Sequence, residues 1–188
     1  MQLSVTRRVA FSAMFAALAI VLKIYSLPVT PNTRLSFLYL PCFLSGIFLG
    51  PLSGFLVGAA GDLLGSIISP KGSLSPLLII NSGLIGFLMG VCFHKLGIKN
   101  LYVKIAAGTV SVMLIVSLTI NPLAQMLPPI GRYDNFWVAL TERLLLPFPL
   151  FQPIVVILNG LITVPAAFAL KQTIFQKYWR ESTPQQKQ

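Results

Sequence analysis

The sequence predicts an all-α integral membrane protein with six transmembrane helices, and its composition carries this prediction. Hydrophobic residues make up 55% of the 188 residues, charged residues only 10%, and the mean hydropathy is +0.82. A soluble domain carries roughly 25% charged residues, so this chain has too few charges to cover a water-facing surface. A membrane-spanning helix needs about 20 residues. The length therefore accommodates about six such helices in a single transmembrane domain over 1–188.

Six apolar segments define the predicted helices, and breaks rich in proline, glycine or charge separate them. The prolines in 28–34 and 70–76 end helices, because proline and the residue before it disfavour helical continuation. Gly50-Pro51 marks a tight break between the second and third segments, and the second is short for a complete span. The predicted spans are 9–27, 36–49, 52–69, 77–93, 101–126 and 144–170.

Basic residues cluster between the apolar segments, and their distribution predicts the orientation of the chain. The net charge of +10 would suggest nucleic-acid binding in a soluble protein, but membrane topology explains these clusters better. An even number of spans puts both termini on one side, which then carries most of the Lys and Arg residues. Such residues favour the cytoplasmic face. Both termini are therefore predicted to be cytoplasmic, and the loops after the first, third and fifth helices to face outward.

One acidic residue falls inside a predicted span. Asp62 shares a helix face with Gly54, Gly58 and Gly65, because residues three or four apart lie one above another. A carboxylate at this depth is normally paired or buried. A substrate or ion contact and an internal structural tether both fit, and the tether is favoured because no second carboxylate lies nearby. Lys23 is expected to extend to the lipid headgroups, with contact to a substrate carboxylate as the alternative.

Small residues recur on the first predicted helix. Ala13 and Ala17 are one turn apart and would form a flat surface that another helix can approach closely. On spacing alone, packing within this protein is the simpler interpretation of the pair.

The outward loops combine cations, hydroxyls, amides and aromatic rings that could enclose a small polar molecule. Arginine can hold a carboxylate through two parallel hydrogen bonds. The alternative for each residue is that it only contacts the lipid headgroups, since Tyr, Trp and Arg are common at membrane surfaces. The residues predicted to bind substrate are Arg34, Ser36, Lys71, Ser73, Asn81, Arg132 and Trp137.

Motifs of catalytic chemistry are missing from the sequence. It contains no G-x-x-x-x-G-K-[ST] for binding ATP and no G-x-S-x-G. No carboxylate cluster suits metal-assisted chemistry. Cys42 and Cys92 lie far apart within apolar stretches, which favours packing over a disulfide or a metal site. The sequence therefore predicts neither an enzyme nor a chain that binds its own cofactor.

Four motifs follow one another over roughly residues 7–90. They are Arg34-Leu-Ser-Phe-Leu-Tyr-Leu-Pro41, Gly50-Pro51-x-x-Gly54-x-x-x-Gly58, Gly61-Asp62-Leu-Leu-Gly65 and Pro70-x-Gly72-x-x-x-Pro76. Each is common in membrane proteins, but their order and spacing together are more specific. In this respect the chain resembles the folate-type family of substrate-binding S-components of energy-coupling factor (ECF) vitamin transporters.

The resemblance implies a function and a set of partners. It implies an S-component-like bundle that captures a B-group vitamin outside the cell and releases it inside by toppling in the membrane. It also implies a transmembrane coupling protein and two ATPase subunits, which would use the ATP while this chain binds no cofactor. In that family the alanine pattern of the first helix contacts the coupling protein, and it maps onto Ala13 and Ala17.

The chain departs from the family pattern after the third loop. Folate binders of the family usually carry an aromatic F-P-G-F-T-like stretch, where this chain has Leu74-Ser-Pro-Leu-Leu-Ile79. Fewer aromatic rings are then available to stack on a pterin, which keeps pantothenate beside folate as the expected ligand. Both vitamins carry a carboxylate that Arg34, Lys71 or Arg132 would suit.

A self-sufficient secondary carrier or channel for a small solute is the alternative function. Such a carrier would usually show paired intramembrane charges or internal repeats.

Overall fold

The computed structural model describes residues 5–28, 34–70, 75–97, 100–127, 130–131, 133–145 and 151–173. Within these ranges the chain is helical apart from a two-residue antiparallel strand pair, β1 (Leu27–Pro28) and β2 (Arg34–Leu35). The prediction of an all-α membrane protein is therefore confirmed. The helices are α1 (Val5–Ile24), α2 (Tyr39–Leu49), α3 (Pro51–Ile68), α4 (Pro76–Lys95), α5 (Leu101–Ser111), a π-helical segment (Val112–Ile120), α6 (Asn121–Met126), α7 (Phe136–Leu145) and α8 (Phe151–Thr173).

Among the residues that the structure describes, five helical stretches are long and apolar enough to cross a membrane, and they match five of the six predicted spans. The remaining predicted span, 36–49, contains only the 11-residue helix α2, which is about 16 Å long at the usual rise per residue. The short helix α7 begins between the fifth and sixth predicted spans, where no helix was predicted. The five long stretches are Val5–Ile24, Pro51–Ile68, Pro76–Lys95, Leu101–Met126 and Pro153–Gln172.

Contacts between neighbouring helices show their relative directions. Helices α1 and α3 run parallel, because Arg8 Nε donates to Ser53 Oγ near their first residues and Lys23 meets Asp62 near their last. Helix α4 is antiparallel to both of its neighbours, since Gly58 packs on Ser82 of α4 and the start of α5 packs on the end of α4. We call the end of the bundle near residues 5, 50, 97 and 173 the terminal face, and the opposite end the loop face.

Glycines allow α2, α3 and α4 to pack backbone against backbone near the terminal face. A Cβ atom placed on Gly90 would lie 2.6 Å from Pro51 Cα, and one on Gly46 would lie 2.9 Å from the Gly90 nitrogen. Gly50 makes the turn between α2 and α3 with φ of 95°, a conformation that residues with a Cβ rarely adopt. A larger side chain at Gly46 or Gly90 would therefore have to displace backbone atoms of a neighbouring helix.

The π-helical segment precedes a proline. Pro122 lacks the amide hydrogen that an α-helical turn would direct to the carbonyl of Leu118. The Asn121 amide donates to the Val116 carbonyl five residues earlier, and Thr119 Oγ1 donates to the Leu114 carbonyl at 3.0 Å. Segments of this type are frequent at functional sites, and this one lies in the half of the α5–α6 stretch that approaches the loop face.

Candidate functional site

A buried ion pair joins α1 to α3. Lys23 Nζ lies 2.5 Å from Asp62 Oδ1, and the two side chains are 32% and 5% exposed. The fit is close because Gly65 faces the aliphatic part of Lys23 and Gly61 faces Ala19. The expectation that Lys23 extends to the headgroups was wrong, since its ammonium points inward to a carboxylate that needs a counter-charge at this depth. The structural role predicted for Asp62 fits this geometry and stays a prediction.

The chain enters the bundle from the loop face as non-helical backbone. Helix α2 is shorter than α3 by seven residues, or about 10 Å, so the residues before it lie below the ends of the neighbouring helices. There the Ser36 carbonyl accepts a hydrogen bond from Asn159 Nδ2 at 3.3 Å, and Ser36 Oγ accepts one from the Leu38 amide at 3.3 Å. Irregular backbone at membrane depth is tolerated only where protein buries it or where it lines a cavity.

Buried polar atoms without hydrogen-bond partners occur on α4, on the residue before it, on the π-helical segment and on α8. Within the described part of the chain, four buried side-chain atoms have no hydrogen-bond partner: Ser75 Oγ, Asn81 Oδ1, Ser117 Oγ and Asn159 Oδ1. A buried hydroxyl or amide without a partner costs about 1–3 kcal/mol by mutational measures. A polar ligand within hydrogen-bonding distance of these atoms would remove that cost.

These residues come from helices that touch one another. Helix α4 contacts the π-helical segment and α6, and α8 contacts the π-helical segment and α2. Asn81 and Asn121 each lie five residues from the loop-face end of their helical stretch, about 8 Å below it, whereas Ser117 and Asn159 lie about 12–14 Å below. We call Ser36, Asn81, Ser117, Asn121 and Asn159 the polar layer.

The chemistry of the polar layer is that of neutral hydrogen bonding. Amides both donate and accept, and hydroxyls do the same, whereas a metal site needs clustered anionic or imidazole ligands. Among the described residues no group of three or more His, Cys, Asp or Glu side chains could hold a metal ion. The layer is suited to a polar organic molecule that presents both donors and acceptors.

The predicted binding residues fall into three groups in the structure. Asn81 is buried and Ser36 is half-buried, and both belong to the polar layer. Trp137 is 73% exposed at the start of α7. Arg34 belongs to β2, and its side chain lies outside the described part of the structure. Lys71, Ser73 and Arg132 lie outside the described residues. Their roles therefore stay predictions.

Three members of the polar layer were missed by sequence reasoning. Ser117, Asn121 and Asn159 are at most 9% exposed, and each interrupts an apolar run of the sequence. Polar residues within membrane helices are rare and often functional, and this signal could have found the two asparagines.

The coupling-protein surface predicted on α1 is open in the structure. Ala13 and Ala17 are both exposed, whereas Phe15 and Ala19 on another side of the helix are buried against the bundle. The alternative, that the two alanines serve internal packing, does not match this exposure.

Comparisons with known proteins agree with this fold. A family model described as "ECF-type riboflavin transporter, S component" matches residues 3–170. The folate transporter FolT of Clostridium novyi (strain NT) is 34% identical over 94 residues, which are 50% of this chain and 54% of that relative. The match thus spans about half the length of the curated relative. A crystal structure of FolT bound with folic acid has the same fold, with a TM-score of 0.63 at 21% identity, covering 85% of this chain and 94% of that chain.

The resemblance inferred from the four motifs is thereby confirmed, and the enzyme class is excluded by membership of a transporter family. Because the family match extends over most of the sequence, the chain belongs to the family of S components of ECF-type riboflavin transporters.

Proposed function

We propose that this protein is the membrane-embedded vitamin receptor of an ECF-type importer and that its ligand is folate. The observation that carries the proposal is the polar layer, in which Asn81 Oδ1, Ser117 Oγ and Asn159 Oδ1 are buried below the loop face without a hydrogen-bond partner. A ligand entering from that face would satisfy them, while non-helical backbone at Ser36 forms one wall.

The choice of folate rests on ligand chemistry and on similarity. A relative sharing 34% identity over half of this chain is a folate transporter. Folate and pantothenate carry carboxylates, which would suit the cations predicted at the loop face, Arg34, Lys71 and Arg132, whereas riboflavin has none. The pterin ring of folate presents adjacent donors and acceptors that amides can match, which favours it over the smaller pantothenate.

Calorimetry on the purified chain in nanodiscs tests the ligand. Folic acid, pantothenate and riboflavin are titrated separately, and we expect folic acid to bind at least tenfold more tightly than either of the others. Tighter binding of riboflavin or pantothenate would replace folate as the ligand, and binding of none of the three would refute vitamin capture by this chain.

A carboxylate contact is expected at Arg34. Arg34→Ala should weaken folate binding while the thermal unfolding temperature stays unchanged. Lys95→Ala, which removes an exposed cation at the terminal face, is the matched control and should bind normally. Equal affinity of the two variants would remove Arg34 from the site.

We further propose that α1 docks on a transmembrane coupling protein that works with two ATPase subunits. Ala13 and Ala17 would form the contact, since both are exposed and small residues allow close helix approach. Replacing both by Phe should abolish ATP-driven uptake in vesicles that contain the coupling module and leave folate binding intact. Val103→Phe, at an exposed position of α5, is the control. Normal uptake by the alanine variant would refute the contact.

In this proposal the single transmembrane domain has both termini in the cytoplasm, binds no cofactor and releases its vitamin inside by toppling. Folate uptake into vesicles by the chain alone would instead establish a self-sufficient carrier. Protease removal of an N-terminal tag from intact cells would contradict the orientation.

A further inference from the structure

An apolar groove runs between α5 and α8, away from the polar layer. Its volume is about 350 Å³ and its walls include Tyr102, Ala106, Val110 and Leu161. A volume of this size lies at the lower end of the range found for small-molecule sites. The groove is therefore large enough to hold part of a ligand.

The two helices that form the groove approach each other closely at a glycine. A Cβ atom on Gly160 would lie 2.6 Å from Thr109 Oγ1, so any larger residue would push the two helices apart. The Thr109 hydroxyl donates to the Ile105 carbonyl at 2.9 Å and is occupied within its own helix. The walls consequently offer a surface for hydrocarbon and little for a polar vitamin.

The groove opens toward the lipid. Tyr102 and Leu161 at its rim are each 65% exposed, and Val110 is 50% exposed, on helices that cross the membrane. Along α5 it extends from Tyr102 to Val110, about 12 Å. One leaflet of the hydrocarbon core is about 15 Å thick, so the groove lies within the leaflet next to the terminal face.

Positive charge lies beyond the groove at that face. Lys171 follows the wall residue Val164 by seven residues, two turns along the same side of α8, and Tyr102 is at the start of α5. Basic residues at the ends of neighbouring membrane helices bind anionic lipid headgroups, with about 1 kcal/mol contributed by each cation near the surface.

We propose that this groove seats one acyl chain of an anionic phospholipid, whose headgroup lies against Lys171 and the Tyr102 hydroxyl. The site is distinct from the vitamin site, because Asn159, the neighbour of Gly160 in sequence, points into the polar layer and bonds to Ser36.

Native mass spectrometry after purification from mixed phosphatidylglycerol and phosphatidylcholine tests the site. The unaltered chain should retain one phosphatidylglycerol in preference to phosphatidylcholine. Ala106→Phe fills the groove from an exposed wall position and should lose this lipid. Leu56→Phe, at an exposed position of α3, a helix that contributes no residue to the groove, should keep it. Equal retention by the two variants, or equal retention of the neutral lipid, would overturn the proposal.

A charge variant keeps the test valid if Ala106→Phe fails to fold. Lys171→Glu should lower phosphatidylglycerol retention roughly fivefold or more, whereas Lys95→Glu, the same change at an exposed end of α4, should not. Equal losses in both would show a diffuse charge effect and refute the site. Loss of ATP-driven uptake in Ala106→Phe with lipid retention unchanged would assign the groove to the coupling protein instead.

Discussion

The two ends of the bundle differ in how completely their polar groups are bonded. Near the terminal face, Ser53 Oγ accepts from Arg8 Nε at 2.9 Å, Lys104 Nζ donates to the Phe93 carbonyl at 2.9 Å, and the helices meet at glycines. Toward the loop face the Lys23–Asp62 pair of α1 and α3 is bonded, but on the π-helical segment and α8 Ser117 and Asn159 leave buried oxygens without partners.

This difference separates a scaffold from a binding region. Backbone-to-backbone glycine packing allows little movement, because any displacement opens a gap or a clash. Unsatisfied polar atoms, in contrast, lower the stability of their surroundings until something bonds to them. We infer that the terminal half holds the fold and that the loop half gives up stability for ligand recognition.

Enlarging a glycine of the terminal half should have the largest effect. A Leu at Gly90 would place its Cβ 2.6 Å from Pro51 Cα, a backbone atom that cannot move aside. Overpacking costs about 1–3 kcal/mol and occasionally more, so we expect Gly90→Leu to lose most monodisperse protein in size-exclusion chromatography. Gly97→Leu, where nothing lies within 4 Å of the added Cβ, is the control. Equal yields would contradict the rigid packing.

Removing one member of the Lys23–Asp62 ion pair should have the second-largest effect on the stability of the protein. Asp62→Leu leaves the Lys23 ammonium without its carboxylate, at a cost on the order of 3 kcal/mol, the low end for buried pairs because Lys23 keeps a third of its exposure. The thermal unfolding temperature in detergent measures this loss. The double variant Lys23→Met with Asp62→Leu should recover most of it, and a double variant as unstable as the single one would argue against pairing as the cause.

A substitution in the polar layer should lower the affinity for folate more than it lowers the stability of the protein. Asn159→Leu removes the amide that bonds to Ser36 and faces the proposed ligand, and we expect a 10- to 100-fold lower folate affinity by calorimetry. Thr163→Val is the matched change one turn further along α8, where the hydroxyl is already bonded to the Asn159 carbonyl at 2.7 Å. That variant should bind normally. Equal affinities would exclude Asn159 from the site.

A pair of serine variants gives the smallest but most diagnostic effect. Ser117→Ala deletes an unpartnered buried hydroxyl and should raise the stability of the ligand-free protein by up to about 1 kcal/mol. Ser45→Ala deletes a hydroxyl that donates to the Cys42 carbonyl at 3.0 Å and should lower it by about as much. The thermal unfolding temperatures of the two variants without vitamin measure these changes. Shifts of the same sign would contradict the difference in hydrogen bonding between the two ends of the bundle.

The helices could be predicted from the sequence because apolar length and helix-breaking residues are local signals. Gly50-Pro51 marked the turn between α2 and α3, and the fifth span, 101–126, coincides with the observed stretch. Helix α7 was missed because polar residues precede it and it is only 10 residues long.

The site was harder to predict, because its parts meet only after packing. The pairing of Lys23 with Asp62 depends on the register of α1 against α3, and neither helix encodes that register alone. Asn159 and Ser36 are separated by 123 residues and come together only because α2 starts late.

The late start of α2 also bears on how ligand preference can change during evolution. The Ser36 carbonyl that faces Asn159 is a main-chain group, and an exchange of residue type leaves such a group in place. This main-chain wall would remain when side chains are exchanged during evolution. Relatives that import different nutrients would therefore have to differ at the asparagine and serine positions of the polar layer.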